Sequence, residues 1–292
     1  MPGPVRPPVL VGEVTITPLV QLRRAMPPRR LFPQVDQPAT RDRWYWQAPY
    51  LLPSGDLVID MGGFLVRTPT LTIVVDCGIG NAKTRPIAAF HRREDDWLGA
   101  LRAAGAAPEE VDYVVFTHLH GDHVGYATTL REGRWQPSFP RARHLATAAE
   151  VDFWSGPGAA AQLAQIGDHL TDSVLPLREA GLLDLVAPDH VLAPGIRLLP
   201  AAGHTPGNVC VEITSGGQRA VFSGDMVHHA LQLAHPDWST SFCVDPDQAA
   251  DARRALLADI AGTDALLVPA HFPGCRPGHV THRDGAYGWV PS

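Results

Sequence analysis

The segment Thr117-His118-Leu119-His120-Gly121-Asp122-His123 places four residues of metal-ligand type, His118, His120, Asp122 and His123, within six positions. It directly follows Val111 to Phe116, a continuous apolar run of the kind that forms a strand covered on both faces. A strand running into a loop lets alternate side chains such as His118 and His120 point the same way, while the next turn re-aims Asp122 and His123 to a second point nearby. The spacing therefore predicts two neighbouring metal positions. Three further segments supply one donor each just past a predicted strand: Gly203-His204-Thr205-Pro206-Gly207, Ser223-Gly224-Asp225 and Pro269-Ala270-His271. The intervals between them leave room for one or two secondary elements, as convergence at a single sheet edge requires.

The elements that must carry these donors are β-rich. Short runs at Leu57 to Asp60, Gly62 to Arg67 and Leu71 to Cys77 predict an antiparallel meander, and Asp95 to Ala104 reads as a helix. A helix from His123, a strand near Arg143 to Leu145 and helices at Ala148 to Trp154 and Ala159 to Leu170 follow, then a loop-rich bridge to Pro194. The second half has strands at Ile196 to Pro200, Val209 to Thr214 and Arg219 to Ser223, a helix across Pro246 to Ala261 and a last strand at Ala265 to Val268. Two such halves predict an α+β fold with two mixed sheets packed face to face and helices outside, a four-layer αββα sandwich. Residues 1–50 read as a Pro/Arg-rich arm with one edge strand at Val14 to Leu19, closed by Trp44-Tyr45-Trp46 against the body or a second subunit. Residues 51–292 read as one domain.

Composition narrows the partners. Of the 292 residues, 45% are hydrophobic and 18% charged, the profile of a globular protein rather than a disordered one. The net charge of −6 argues against nucleic acid or an anionic membrane as partner. No apolar run reaches the roughly 18 to 20 residues of a membrane span, and the proline-rich start lacks a secretory apolar region, so the cytoplasm is the expected location. The four cysteines lie far apart without a C-x-x-C, which predicts reduced thiols.

Taken together, T-H-x-H-x-D-H, G-H-T-P-G, S-G-D and the late A-H resemble the metallo-β-lactamase fold superfamily of metallohydrolases, over roughly residues 55 to 275. That resemblance implies one metal held by His118, His120 and His204, a second by Asp122, His123 and His271, Asp225 between them, and a shared water or hydroxide as nucleophile. The assignment is chemically sensible on its own. Two divalent ions sharing a hydroxide lower its pKa towards neutrality, and one can polarise a carbonyl or phosphoryl oxygen while the other stabilises developing charge. Imidazole and carboxylate donors without thiolate suit zinc, while iron, manganese or cobalt fit the same set.

Within the superfamily, a bridging Asp225 argues against β-lactam hydrolysis as the main task, and the 21 residues after His271 are too few for the helical domain of glyoxalase II enzymes. The stretch from Gly224-Asp225-Met226-Val227-His228 through His235-Pro236-Asp237-Trp238 to Asp245-Pro246-Asp247, with Ala270-His271-Phe272-Pro273-Gly274, looks like the methyl parathion hydrolase and acyl-homoserine lactonase branch. This implies a homodimer and a small-molecule lactone, ester or phosphotriester substrate with an apolar acyl or aryl group. Two departures stand out: Asn208 replaces a frequent histidine, and His228 stands where some lactonases carry a tyrosine. The candidate catalytic residues are Asp122, which is also a candidate ligand, and His228, which could orient the substrate or protonate a leaving alkoxide. Phe242, Trp135, Trp154 and the Trp44 cluster are candidates for an apolar pocket or for plain core. Asp76, beside Cys77 at a strand end, is a candidate acceptor for a ligand histidine, and His91, His144, His169, His190, His279 and His282 read as surface or loop residues. The competing readings are a mononuclear iron oxygenase of the persulfide-dioxygenase kind, a thioester or β-lactam hydrolase on the same fold, and a catalytically silent binding module.

Overall fold

The computed structural model describes residues 7–35, 45 and 47–292. Among them one sheet runs β1 (Val9–Val11), β2 (Val14–Met26), β3 (Leu57–Arg67), β4 (Thr72–Cys77), β5 (Tyr113–Val115) and then, past a separate ribbon of β6 (Thr128–Arg131) and β7 (Arg134–Pro137), β8 (Arg143–Thr147) and β9 (Leu183–Val186). The other runs β10 (Val191–Ala193), β11 (Ile196–Pro200), β12 (Val209–Ser215), β13 (Gln218–Gly224), β14 (Leu266–Pro269), β15 (Gly278–Arg283) and β16 (Ala286–Pro291). Pairing from β4 through β5 and β8 to β9 is parallel, as is β13 with β14, and the remaining pairs are antiparallel.

Strand alternation explains the layers. Phe64, Val66, Ile73, Val75 and Val115 face Leu198, Val211, Phe222 and Val268 across the space between the sheets, with the Phe64 and Phe222 rings edge to face at 5.2 Å. The residues between them turn outward: Leu65, Val74 and Val114 meet Trp97 and Leu101 of the helix Trp97–Ala103. On the far side Val221 and Leu267 meet Leu257 and Ile260 of the helix Pro246–Ile260. Both faces of each sheet are therefore covered, which gives helix, sheet, sheet, helix, the expected αββα order.

Four local readings change, the first being that the runs Leu57 to Asp60 and Gly62 to Arg67, read as separate strands, form the single strand β3. The segment read as a short edge strand in an arm is the 13-residue β2, which pairs along most of its length with β3 inside the first sheet. Its register shifts between Val20 and Leu22, so the bulge at Gln21 breaks the apolar alternation that would have marked it. Trp44 and Trp46 lie outside the described residues, while Tyr45 is buried and meets His235 edge to face. The loop-rich bridge before Pro194 contains the helix Leu175–Glu179 and strands β9 and β10. Strand β14 is not the last, because β15 and β16 follow as a hairpin turned by Asp284 and Gly285, both at positive φ.

Candidate metal centre

Every predicted donor lies where a strand leaves the sandwich at one edge. Parallel β4 and β5 deliver Asp76 and the His118 loop, and parallel β13 and β14 deliver Asp225 and His271. The turn between β11 and antiparallel β12 brings His204 back to the same edge, and Val209 N donates to Thr117 O at 2.9 Å, tying the two sheets together there. Gly224 makes this join possible: its φ is +48°, and a Cβ there would lie 2.7 Å from Thr117 Oγ1.

The side chains converge in two groups. Donor atoms of His118, His120, His204 and Asp225 all lie within 4.8 Å of one another, as do those of Asp122, His123 and His271. Asp225 faces both: Oδ2 is 3.3 Å from His204 Nε2 and 3.7 Å from His118 Nε2, while Oδ1 is 3.0 Å from His123 Nε2 and 2.7 Å from His271 Nε2. His120 Nδ1 approaches His118 Nε2 at 3.0 Å and His204 Nε2 at 2.9 Å. The structure thus brings all seven predicted donors to one place. His228 joins them, with Nε2 3.1 Å from Asp225 Oδ2 and its ring stacked on His271 at 5.5 Å.

The outer atoms of the rings dictate what the inner ones present. His123 Nδ1 faces Asp76 Oδ2 at 2.8 Å and His271 Nδ1 faces Asp60 O at 2.7 Å, so both donate outward and turn a bare Nε2 lone pair inward. Thr117 Oγ1 donates to Asp76 Oδ2 at 2.8 Å, which leaves it accepting from His118 Nδ1 at 3.1 Å. His204 Nδ1 has only the Cys243 sulfur, at 3.5 Å. Lone pairs and a carboxylate thus crowd one buried space, and His123 Nε2 and Asp225 Oδ1 complete no hydrogen bond despite their closeness. Such mutual repulsion is relieved by cations at the two foci, so the donor set fits a pair of divalent ions. Electrostatics divide the rings: two stay uncharged, while the carboxylates make the positions of two others attractive to positive charge, a proton or a metal ion alike. Burial holds His118 and His120 well below the ordinary imidazole value. For His123 burial pushes down, but the carboxylates of Asp225, Asp76 and Asp122 outweigh it and hold it well above. His204 is pushed up to about 9, burial being overcome by Asp225 and Cys243.

Three carboxylates outside the donor set hold the loops. Asp76, at φ +54°, also accepts from Thr117 N at 2.9 Å, beside the His123 ring for which it was foreseen as acceptor. Asp60, wholly buried, is clamped by Arg23 at 2.7 and 2.8 Å and also accepts from Gly274 N in the His271 loop. Glu150 accepts from Leu119 N, Gly207 N and Trp154 Nε1 at 2.9, 2.9 and 3.0 Å, joining the His118 and His204 loops. Sequence reasoning missed Glu150. Thr147-x-x-Glu150 has the form of a capping box, yet only Thr147 caps its helix and the glutamate reaches across to the site.

A cavity of about 630 Å³, including its open mouth, lies over this cluster. His120, Asp122, Asp225, His228 and His271 form its polar end, and Met26, Leu31, Met61, Phe90, Ile166 and Phe242 its apolar walls. Of the predicted pocket aromatics Phe242 is there. Trp154 is instead core, edge to face with His120 at 5.2 Å, and Trp135 lies 3.7 Å from Lys83 Nζ. His144 and His169, read as surface residues, are buried: β5–β8 pairing puts His144 against Phe116 and Phe139, and His169 packs on Trp154. Among the described residues no helix is long and apolar enough to cross a membrane.

A family model of the metallo-beta-lactamase superfamily matches residues 63–271. The chain belongs to that superfamily. It is similar to an N-acyl homoserine lactonase from Bacillus sp, 25% identical over 170 residues, which is 54% of this chain and 60% of that one. The match with these curated lactonases therefore spans less than two thirds of their length. Among solved structures it resembles the hydrolase AbOPH of the beta lactamase superfamily, with TM-score 0.81 and 27% identity over 98% of this chain and 96% of that one. AidC, a dizinc quorum-quenching lactonase in complex with a product, also superposes with TM-score 0.81, at 22% identity over 100% and 98% of the two chains, which shows the shared fold.

Proposed function

We propose that this superfamily member is a dinuclear metal-dependent hydrolase that opens lactones or cleaves related carboxylic or phosphoric esters. The observation that carries the reading is Asp225, which turns one oxygen to each of two buried donor groups at the floor of an apolar cavity. His118, His120 and His204 would hold one ion, Asp122, His123 and His271 the other, with Asp225 shared between them. Zinc suits these donors. Two bound ions would supply an activated water and a Lewis acid for the scissile carbonyl or phosphoryl oxygen. The second donor group supports this reading over a mononuclear oxygenase, which needs only the first.

The chain's own groups do the rest. The apolar walls bury the acyl or aryl part of the substrate and exclude water from it, which orients the ester over the floor. Burial pushes His228 down to about 3, so at neutral pH it is an uncharged imidazole. It orients the substrate by a ring N–H rather than acting as a cationic acid. Asp122, less buried than the histidines and part of the cavity lining, is placed to take a proton at the polar end. The lactonase relative agrees with a lactone substrate, and AbOPH with a hydrolase. A homodimer is part of the proposal and is checked by light scattering, a mass of one chain counting against it.

The test measures metal content and initial rates on acyl lactones, aryl esters and a phosphotriester, with Asp225→Ala as the blank. About two ions per chain and a clear rate on one class, absent in the blank, are expected. Full activity in the blank, or one ion with oxygen uptake, overturns the reading.

A further inference from the structure

Strands β2 and β3 turn one face to the cavity, and their alternation places Arg24 and Met26 of β2 with Ile59 and Met61 of β3 on it. Arg24 is paired in register with Ile59, at a position where the pattern calls for an apolar side chain. Its neighbour Arg23 pairs in register with Asp60 and is held by that carboxylate at 2.7 and 2.8 Å. Arg24 forms no ion pair among the described residues. Its guanidinium lies over the Phe90 ring, 6.0 Å from the centroid, in a wall otherwise made of Met26, Leu31, Ile87 and Phe90. Burial lowers its pKa, Arg30 pushes the same way, and Asp122 opposes them.

The Phe90 face is only a weak partner for this half-buried cation, and a bound anion would complete its pairing. Met or Leu at this position would continue the wall with no charge to pair. Asp122 is no such partner, because it belongs to the donor group at the floor. A guanidinium matches a carboxylate in a bidentate, charge-assisted pair.

Resting on the hydrolase reading, we infer that Arg24 is a specificity-determining residue, and that the cavity takes esters or lactones whose acyl portion ends in a carboxylate. The apolar stem lies along Met26, Ile59 and Phe90 while Arg24 holds the far carboxylate and the ester sits at the His/Asp floor. The reaction is hydrolysis: the water oxygen bonds to the acyl carbon as the bond from that carbon to the leaving oxygen breaks, one water proton passes to the leaving oxygen and the other to solvent, so an open ester gives a dicarboxylate and a separate alcohol and a lactone gives a single hydroxy-dicarboxylate.

The experiment compares monophenyl adipate with phenyl hexanoate, which share their chain and ester but differ in the terminal carboxylate. The metal-loaded wild type should favour the adipate ester by about tenfold or more in kcat/KM, chiefly through KM, as a charged hydrogen-bonded pair allows. In Arg24→Met the ratio should fall to one or below, and Arg24→Lys should keep an intermediate preference. A ratio unchanged in Arg24→Met, or a wild type that favours the neutral ester, overturns the inference. Calorimetric titration of wild type with adipate and hexanoate reads the same selectivity without turnover or any variant: adipate should bind more tightly, and equal or weaker binding overturns it. Should the protein hydrolyse neither these esters nor any lactone or phosphotriester while adipate binds preferentially, the hydrolase reading fails and the carboxylate site stands.

Discussion

The floor and the wall of the cavity are built on opposite principles. On the floor every histidine donor with a defined outer partner has its ring set by that partner, and Asp76, Asp60 and Glu150 lock the loops that carry them. The wall is assembled from aliphatic and aromatic side chains on well-separated stretches, β2, β3, Phe90, Ile166 and Phe242, with one cation among them. A polar network fixes orientation because each bond is directional, whereas apolar contact fixes only volume. The difference teaches that the reaction type resides in the floor, while the substrate it serves is decided in the wall.

If that division holds, the largest effect comes from the shared carboxylate. Asp225→Ala should cut hydrolysis about 10³-fold or more, since on the proposed two-ion reading several kcal/mol of charge stabilisation would depend on both ions being held. Elemental analysis should show fewer than two ions per chain, with the circular dichroism spectrum retained; undiminished metal content would break the comparison at its root. Next, Glu150→Gln keeps the shape but turns an amide NH2 towards backbone N–H donors. Its metal affinity, measured by competition with a chelator, should fall about 10- to 100-fold. In the wall, Phe242→Ala should leave metal content alone and lower kcat/KM for long acyl esters by about tenfold, with little change for the shortest, as the loss of one buried aromatic contact predicts. Equal losses on all chain lengths would place Phe242 in the floor instead.

His144 sharpens the contrast at smaller scale. It is as buried as the floor histidines but stands between Phe116 and Phe139 with neither ring nitrogen closing a well-formed hydrogen bond among the described residues, and burial, opposed by the Leu182 and Ala142 backbone, pushes it down to about 4. Because the unfolded chain takes up that proton near pH 6.5 and the folded chain only near 4, its contribution is fully present above pH 6.5 and is lost as pH falls towards 4. The loss amounts to about 3 kcal/mol, and His144→Phe should remove it from the urea-unfolding profile over that window. A variant with the same acid dependence as wild type would show that His144 is not its source.

Much of the floor was legible because its donors are local. His118, His120, Asp122 and His123 sit in one loop, and His204, Asp225 and His271 each follow a strand whose end is visible as an apolar run meeting Gly or Pro. Glu150 was hidden because its residue type and position already satisfied a helix-cap pattern, and β2 because a bulge at Gln21 interrupts its alternation. The paired sheets followed from runs of Val, Ile, Leu and Phe that only burial on both faces can satisfy.

By itself, then, the sequence determined the donor types, their order and the layered α+β frame, since each depends on neighbours a few residues apart. Tertiary structure alone decided that Asp225 turns an oxygen to each donor group, that each outer ring nitrogen meets a particular acceptor, and that Arg24 faces an apolar cavity while Arg23 is neutralised by Asp60. Those outcomes depend on strand register and loop crossing, where a shift of one residue exchanges the two faces of a strand and with them Arg23 and Arg24.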